Sequence, residues 1–547
     1  MVVPELRPWQ SAKPRVRKLA GAVRPRLARV VTATKPQVTR AARAVGPRLA
    51  RITRATGPRL ATLVRSPRPR TFRTWQYTAG AATAGLALAA GVVTAAGPWD
   101  ANGQRTAERD RAVALERTGG ADHGSGTAAG EPSPAPSAGS VLTGLGGATN
   151  TVKSAPTGAP AGISGTALTD LLGPLLRDSA LGSTRTAVVV DVATGRRLYG
   201  SGADTALTPA STTKIATAVA ALSALGPDHR ITTRVALEPG TREVVLVGGG
   251  DPTLTARKDA GEWASLRTLA TETAGSLTER GIKQITLSYD TTLYTGPDLH
   301  SIGANANLAR VSPLMADEAR TDGSSNGPAV RVSDPAADAA QKFAGFLAEA
   351  GIKTSSPGTS KASSRADTLA TVSSPPLSSI VERMLTNSDN DIAEALARQT
   401  ALASGEPASF AGGAAAIRAQ LTKLGLPMTG ATFHDGSGLN RDDRLTANLL
   451  TALLVMAADA DRPGLRPVLT GLPVAGFTGT LTSRYTDGAA GVVRAKTGTL
   501  TGVNTLAGTV VDKDGRLLVF AFLAANTTSP PAAQAALDRT ATALAGL

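Results

Sequence analysis

Three short stretches of this chain hold residue types that do chemistry once they are brought together. In "LTPASTTKIATA", residues 207–218, Ser211 precedes Lys214 by three positions. On a helix, positions i and i+3 share a face, so the Lys214 amine reaches the Ser211 oxygen. A serine hydroxyl is a weak nucleophile until a base takes its proton. Burial or a neighbouring cation lowers a lysine pKa enough for it to serve as that base. Taken alone, the pattern favours the plainer reading, Ser211 as the cap of an amphipathic helix.

Ser388 and Asn390 stand in "NSDNDIAEALA". A serine at a helix start offers a hydroxyl that relays a proton, and an asparagine amide holds a substrate carbonyl. An ordinary N-cap accounts for the same residues. Lys496, Thr497, Gly498 and Thr499 follow a strand-like approach through Val492 and Val493. Glycine inside a strand lets another backbone come close, and a cation with a hydroxyl beside it suits a carboxylate. A strand ending in a turn is the rival reading there.

The surrounding texture says which elements must position these groups. "TAVVVDVATGRRLYG" reads as two strands around an Ala-Thr-Gly turn, and "STTKIATAVAALSAL" as a helix. "REVVLVGGGDPTL" is a strand entering a Gly-rich turn, which makes Asp251 a turn residue. "TLAGTVVDKDGRLLVFAFLAAN" is a hairpin around a Lys-Asp-Gly turn, followed by a helix from about Pro530. Strands, then helices, then strands again, without regular βαβ alternation, predict an α+β fold.

Composition narrows the chemistry. The chain has 547 residues, no cysteine and four histidines. Disulfides, thiolate nucleophiles, a lipid-modified N-terminal cysteine and Cys-ligated metals are excluded, and four histidines give no expectation of a His-rich metal centre. The net charge is +16, yet residues 1–74 hold 19 Lys or Arg against one acid, Glu5. That segment therefore carries +18 and leaves −2 for the rest, so the overall basicity is no argument for a nucleic-acid partner.

Four regions follow. The basic tail, 1–74, repeats proline every 11 residues at Pro14, Pro25, Pro36, Pro47, Pro58 and Pro69. Apolar or small residues two and five places after the first five prolines (Leu27 and Val30, for example) fall on one helix face. This fits short amphipathic helices on an anionic membrane leaflet, and equally a disordered basic tail. Within 75–99, residues 78–97 carry no charge over 20 positions, with Trp75, Tyr77 and Trp99 alongside. That length reaches about 30 Å as a helix, enough to cross a bilayer core as a single transmembrane signal-anchor. The dense cations before it predict a cytoplasmic N-terminus and an extracytoplasmic main domain. Cleavage near Ala95 and Ala96, with secretion, is the alternative. Residues 100–165 have the Gly, Ala, Ser, Thr and Pro composition of a disordered tether. The folded domain is then 166–547.

In order, the three motifs resemble S-x-x-K, S-x-N and K-T-G, the signature of serine penicillin-recognising enzymes. Class A β-lactamases place a glutamate after the second motif, and residues 407–495 contain none. "LVGGGDPTL", "SDNDIAE", "DGSGLNRDDRLT", "LPVAGFTGTL" and "VRAKTGTL" are similar to the D-alanyl-D-alanine carboxypeptidase/endopeptidase family, the class C low-molecular-mass penicillin-binding proteins. The resemblance spans about 166–547 and implies a penicillin-binding, β-lactamase-like transpeptidase domain with an antiparallel sheet against helices. The 177-residue gap from Ser211 to Ser388 leaves room for a smaller inserted domain, about 235–374.

The resemblance further implies that Ser211 attacks the D-alanyl-D-alanine carbonyl of peptidoglycan stem peptides, with Lys214 as base. Ser388 would shuttle the proton and Asn390 orient the substrate. Lys496 and Thr497 would bind the substrate carboxylate on the Gly498 strand. The N–H groups of Ser211 and Thr499 would form an oxyanion hole, and water would release the acyl group. β-Lactams would act as inhibitors, and no metal or cofactor would be needed. A β-lactamase and a silent wall-binding protein of the same fold are the alternatives. His434 and Asp435, adjacent in sequence, invite a Ser-His-Asp reading, but neighbours cannot easily orient each other toward a distant serine. "HDGSGLN" is therefore read as a structural turn near the site.

Overall fold

The computed structural model describes residues 165–547 apart from 486–487. The tail, the expected span and, save for Gly165, the tether lie outside the described residues. No described helix is long and apolar enough to cross a membrane.

The first half runs α1 (Gly165–Leu176), β1 (Thr184–Asp191), β2 (Arg197–Ser201), α2 (Thr213–Leu225), β3 (Thr232–Leu237), β4 (Glu243–Val247), α3 (Leu266–Glu279) and β5 (Gln284–Asp290). Next come α4 (Pro335–Glu349), β6 (Lys353–Thr354), β7 (Gly358–Thr359), β8 (Asp367–Ser373), α5 (Leu377–Asn387), α6 (Asn390–Ala403), α7 (Phe410–Lys423) and α8 (Ala447–Ala458). The chain closes with β9 (Val493–Leu500), β10 (Val503–Val511), β11 (Leu517–Ala525) and α9 (Pro530–Ala545).

The fold is α+β. One sheet is antiparallel throughout, in the order β2-β1-β11-β10-β9. Side chains alternate faces along a strand, and here both faces are covered. Val519, Ala521 and Leu523 of β11 pack with α2, α5, α6 and α8, while Leu518, Phe520 and Phe522 pack with α1 and α9. That double burial is why β11 reads as an unbroken apolar run, "LLVFAFLAA". The turn between β10 and β11 is closed by Asp512, whose Oδ1 accepts from the N–H groups of Asp514 and Arg516.

The stretch assigned to an insertion holds a second sheet of order β6-β5-β4-β3-β8, with β7 also on β5. It is mixed: β4 and β5 run parallel, while β3 is antiparallel to β4 and β8. With α3 and α4 it encloses its own core, including Val235, Leu246, Leu269 and Phe343. Asp251, in the turn after β4, accepts from the Thr253 N–H and hydroxyl, as a turn aspartate does.

Candidate active site

Ser211 does not cap a helix. It sits in a 3-10 turn, Ala210–Thr212, one step before α2, and neither that turn nor α2 has a side-chain cap bond. The neighbouring threonines serve the backbone: Thr212 Oγ1 donates to the Pro209 carbonyl and Thr213 Oγ1 to that of Ala210. The Ser211 hydroxyl points to Lys214 instead, with Nζ to Oγ at 3.1 Å. Ala210 is left-handed, φ 48°, a conformation costing a non-glycine residue roughly 1–2 kcal/mol. β9 and β10 hold this turn in place. Thr505 Oγ1 donates to the Pro209 carbonyl at 2.8 Å. A methyl on Gly498 would fall 2.1 Å from Thr505 Oγ1 and 2.8 Å from the Pro209 oxygen. Glycine at 498 is what lets the strand lie against the nucleophile turn.

Lys214 is fully buried in α2. Its Nζ also reaches Asn390 Oδ1 at 2.6 Å and the Ser437 carbonyl at 2.7 Å. Burial lowers its pKa to about 8, against the raising influence of Asp435, Asp389, Glu394 and Asp391. A neutral amine has two N–H bonds and one lone pair. With Asn390 and Ser437 as acceptors for the two N–H bonds, the lone pair is left for the Ser211 proton.

Ser388 is not at a helix start. It ends α5 in the left-handed region, φ 57° and ψ 40°, and Asp389 caps α6 by accepting from the Ile392 N–H. This sharp elbow sends its side chains to two different lysines. Lys496 Nζ donates to Ser388 Oγ and to the Thr497 carbonyl, both at 2.8 Å. Lys496 is also fully buried, and burial together with the nearby Lys214 pushes its pKa well below the lysine range. Thr497 Oγ1 donates to Thr480 Oγ1 at 3.0 Å. Thr499 is exposed on β9, the edge strand of the sheet.

Several supporting residues carry no motif. The "HDGSGLN" turn supplies the Ser437 carbonyl to Lys214. Two buried acids shape it: Glu394 accepts from the N–H groups of Gly436 and Ser437, and Asp435 from those of Gly438 and Asn440. The partner of Asp435 is His300, at 2.9 Å, not the adjacent His434. Burial opposes ionisation of Asp435, but these donors outweigh it and bring its pKa down to about 2. His300, Glu394 and Asp435 bring potential metal-ligand atoms within 4.8 Å of one another, and protein donors already occupy both oxygens of Asp435 and one oxygen of Glu394. A run of turn-forming residues was the sole sequence signal for this part.

The inserted domain reaches the elbow directly. Asn390 Nδ2 donates to the Asn307 carbonyl at 2.8 Å. Asp391 accepts from the Ala309 N–H at 2.9 Å and pairs with Arg331 at 2.8 Å. These contacts cross 60 to 83 residues of sequence, which is why no local pattern announced them.

A serine in contact with a buried lysine, beneath the edge strand of an antiparallel sheet and with a second buried lysine nearby, fits an enzyme of the serine penicillin-recognising class. Residues 168–322 and 314–544 match the D-Ala-D-Ala carboxypeptidase 3 (S13) family. The chain belongs to that family. It is 38% identical over 371 residues to carboxypeptidase DacB of Mycolicibacterium smegmatis, covering 65% of this chain and 79% of that protein. It is 30% identical over 471 residues to a D-alanyl-D-alanine carboxypeptidase of an Actinomadura species, covering 70% and 86%. The crystal structure of penicillin binding protein 4 from Haemophilus influenzae has the same fold: TM-score 0.57 at 22% identity, covering 69% of this chain and 98% of that one.

Proposed function

We infer that this chain is a serine D,D-peptidase that cleaves the terminal D-alanyl-D-alanine bond of peptidoglycan stem peptides through an acyl-enzyme on Ser211. The observation carrying this is the Lys214 site: Nζ has acceptors in Asn390 and Ser437 and lies 3.1 Å from Ser211 Oγ, so that in the neutral form its lone pair faces the serine.

The incoming peptide adds to the open edge of β9 as a further strand. Its carboxylate meets Lys496 and Thr497, and the arriving negative charge favours the ammonium form of Lys496. That charge in turn shifts the nearby Lys214, with its pKa of about 8, toward the neutral form. Lys214 takes the Ser211 proton as the oxygen attacks. The oxyanion is held by the N–H groups of Ser211 and Thr499. Ser388, hydrogen-bonded to Lys496, gives its proton to the leaving D-alanine nitrogen and recovers the one that Lys214 took from Ser211. Water then attacks the acyl-enzyme, and the shortened peptide leaves with Ser211 regenerated. A β-lactam follows the same first step, but its opened ring stays attached to its acyl group, so no amine departs.

Intact-mass spectrometry after exposure to labelled penicillin tests this. A long-lived adduct that maps to Ser211, and release of free D-alanine from a wall pentapeptide, are expected. Retention of the adduct in Ser211→Ala would sink the assignment. Rapid penicillin turnover would point to a β-lactamase.

We also propose that residues 75–99 anchor the domain outside the membrane, on the strength of the uncharged 78–97 run and the cations preceding it. Protease applied to intact protoplasts is then expected to remove the domain and spare the tail. A protected domain would reverse the topology.

A further inference from the structure

Glu318 belongs to the inserted domain and to none of the motifs. It lies in a turn whose three residues, Asp317, Glu318 and Ala319, are all left-handed, with φ of 54°, 52° and 56°. Each such non-glycine residue costs roughly 1–2 kcal/mol, and strain of this kind persists where the surroundings over-determine it. Those surroundings are specific. Thr255 Oγ1 and the Ala256 N–H donate to the Asp317 carboxylate at 2.5 and 3.2 Å. The Arg331 guanidinium donates to the Glu318 carbonyl.

The strained turn drives the Glu318 side chain, 4% exposed, against the start of α6. Its carboxylate oxygens come within 4.8 Å of those of Asp389 and Asp391, and a side-chain hydrogen bond joins it to Asp389. Three cations face the group. Arg320 Nε is 2.7 Å from Oε2 and Arg383 of α5 is 3.4 Å from Oε1, while Arg331 is committed to Asp391 at 2.8 Å. A hydrogen bond between two carboxyl groups needs a proton on one of them. Burial, then the charges of Asp389 and Asp391, push the Glu318 pKa well above the carboxylate range, which favours a proton on the pair.

Asp389 lies between the two residues that reach the lysines. We propose that Glu318 is a positioning residue for the reaction. Through a proton shared with Asp389, it holds the 388–390 elbow in the conformation that delivers Ser388 to Lys496 and Asn390 to Lys214. This rests on the acyl-enzyme reading above, and it gives the inserted domain a part in catalysis without substrate contact.

The test compares wild type, Glu318→Gln and Glu318→Ala in the full chain, by penicillin acylation rate and infrared spectroscopy. The glutamine amide still donates to Asp389 and still accepts from Arg320. Glu318→Gln is expected within about threefold of wild type and Glu318→Ala roughly 10- to 100-fold slower, as for a misplaced catalytic group. The infrared difference between wild type and Glu318→Gln at neutral pH is expected to contain the carbonyl stretch of a buried protonated carboxyl. Glu318→Ala acylating like wild type, folded Glu318→Gln as slow as Glu318→Ala, or absence of the protonated band would each overturn the proposal. If Glu318→Ala does not fold, the Glu318→Gln rate and the band decide. A wild-type chain that forms no adduct overturns the acyl-enzyme reading as well; the other outcomes strike this proposal alone.

Discussion

Asn390 holds Lys214 and the inserted domain at once: its Oδ1 accepts from Lys214 Nζ at 2.6 Å while its Nδ2 donates to the Asn307 carbonyl at 2.8 Å. The amide is therefore oriented from both ends, and its oxygen sits closer to the lysine than the 3.1 Å of Ser211 Oγ. This neutral acceptor steadies the amine without adding a charge that would favour the ammonium form.

Asn390→Asp should expose that distinction. A carboxylate at this position raises the Lys214 pKa from about 8, because an adjacent negative charge favours the protonated form. The acylation profile should move to higher pH, and the rate at neutral pH should fall roughly tenfold for every tenfold weakening of Lys214 as an acid. Acylation rates measured across pH check this, and an unmoved profile would argue against Lys214 as the base.

Burying Lys214 should leave a mark on stability. Its folded pKa of about 8 lies below the ordinary 10.5, so between those values the unfolded chain holds more protons. Unfolding free energy therefore rises with pH across that window. The full penalty, about 3 kcal/mol, is present below the folded value and relieved toward the unfolded one. Lys214→Met removes this contribution. The melting temperature of wild type should gain on that variant from pH 7 to pH 10, and a constant gap would contradict the account.

Gly498→Ala should separate β9 from the nucleophile turn. The added methyl would fall 2.1 Å from Thr505 Oγ1 and 2.8 Å from the Pro209 oxygen. Overpacking of this kind costs roughly 1–3 kcal/mol. Thermal denaturation should report that loss, and penicillin acylation should drop with it, because the turn carrying Ser211 is what moves. Unchanged acylation would show that the turn tolerates the displacement.

His300→Leu should act at a distance from the serine. It removes the 2.9 Å partner of Asp435, at a cost of roughly 1.5–3 kcal/mol for a hydrogen bond to a charged group. The loosened turn presents the Ser437 carbonyl to Lys214 less well. Urea titration should show the destabilisation and stopped-flow acylation the slower reaction. A destabilised variant with a wild-type rate would confine His300 to a structural part.

By itself the sequence determined the types and order of the candidate site residues: Ser211 and Lys214, then Ser388 and Asn390, then Lys496 to Thr499. It also determined the α+β class, because strand alternation, helix periodicity and turn residues act over a few neighbouring positions. Local pattern misplaced Ser388, which reads as a helix start but is a left-handed link whose capping task falls to Asp389. The pairing of Asp435 with His300, 135 residues away, was equally out of reach. The Ser437 carbonyl could not be read at all, since every residue has one and none announces its direction. Only the tertiary structure decided that Lys214 is fully buried, that its Nζ meets Asn390 and the Ser437 carbonyl, and that Ser211 Oγ lies 3.1 Å away in the remaining direction. Basicity depends on burial and on partners brought from distant parts of the chain, and those are properties of the packed molecule.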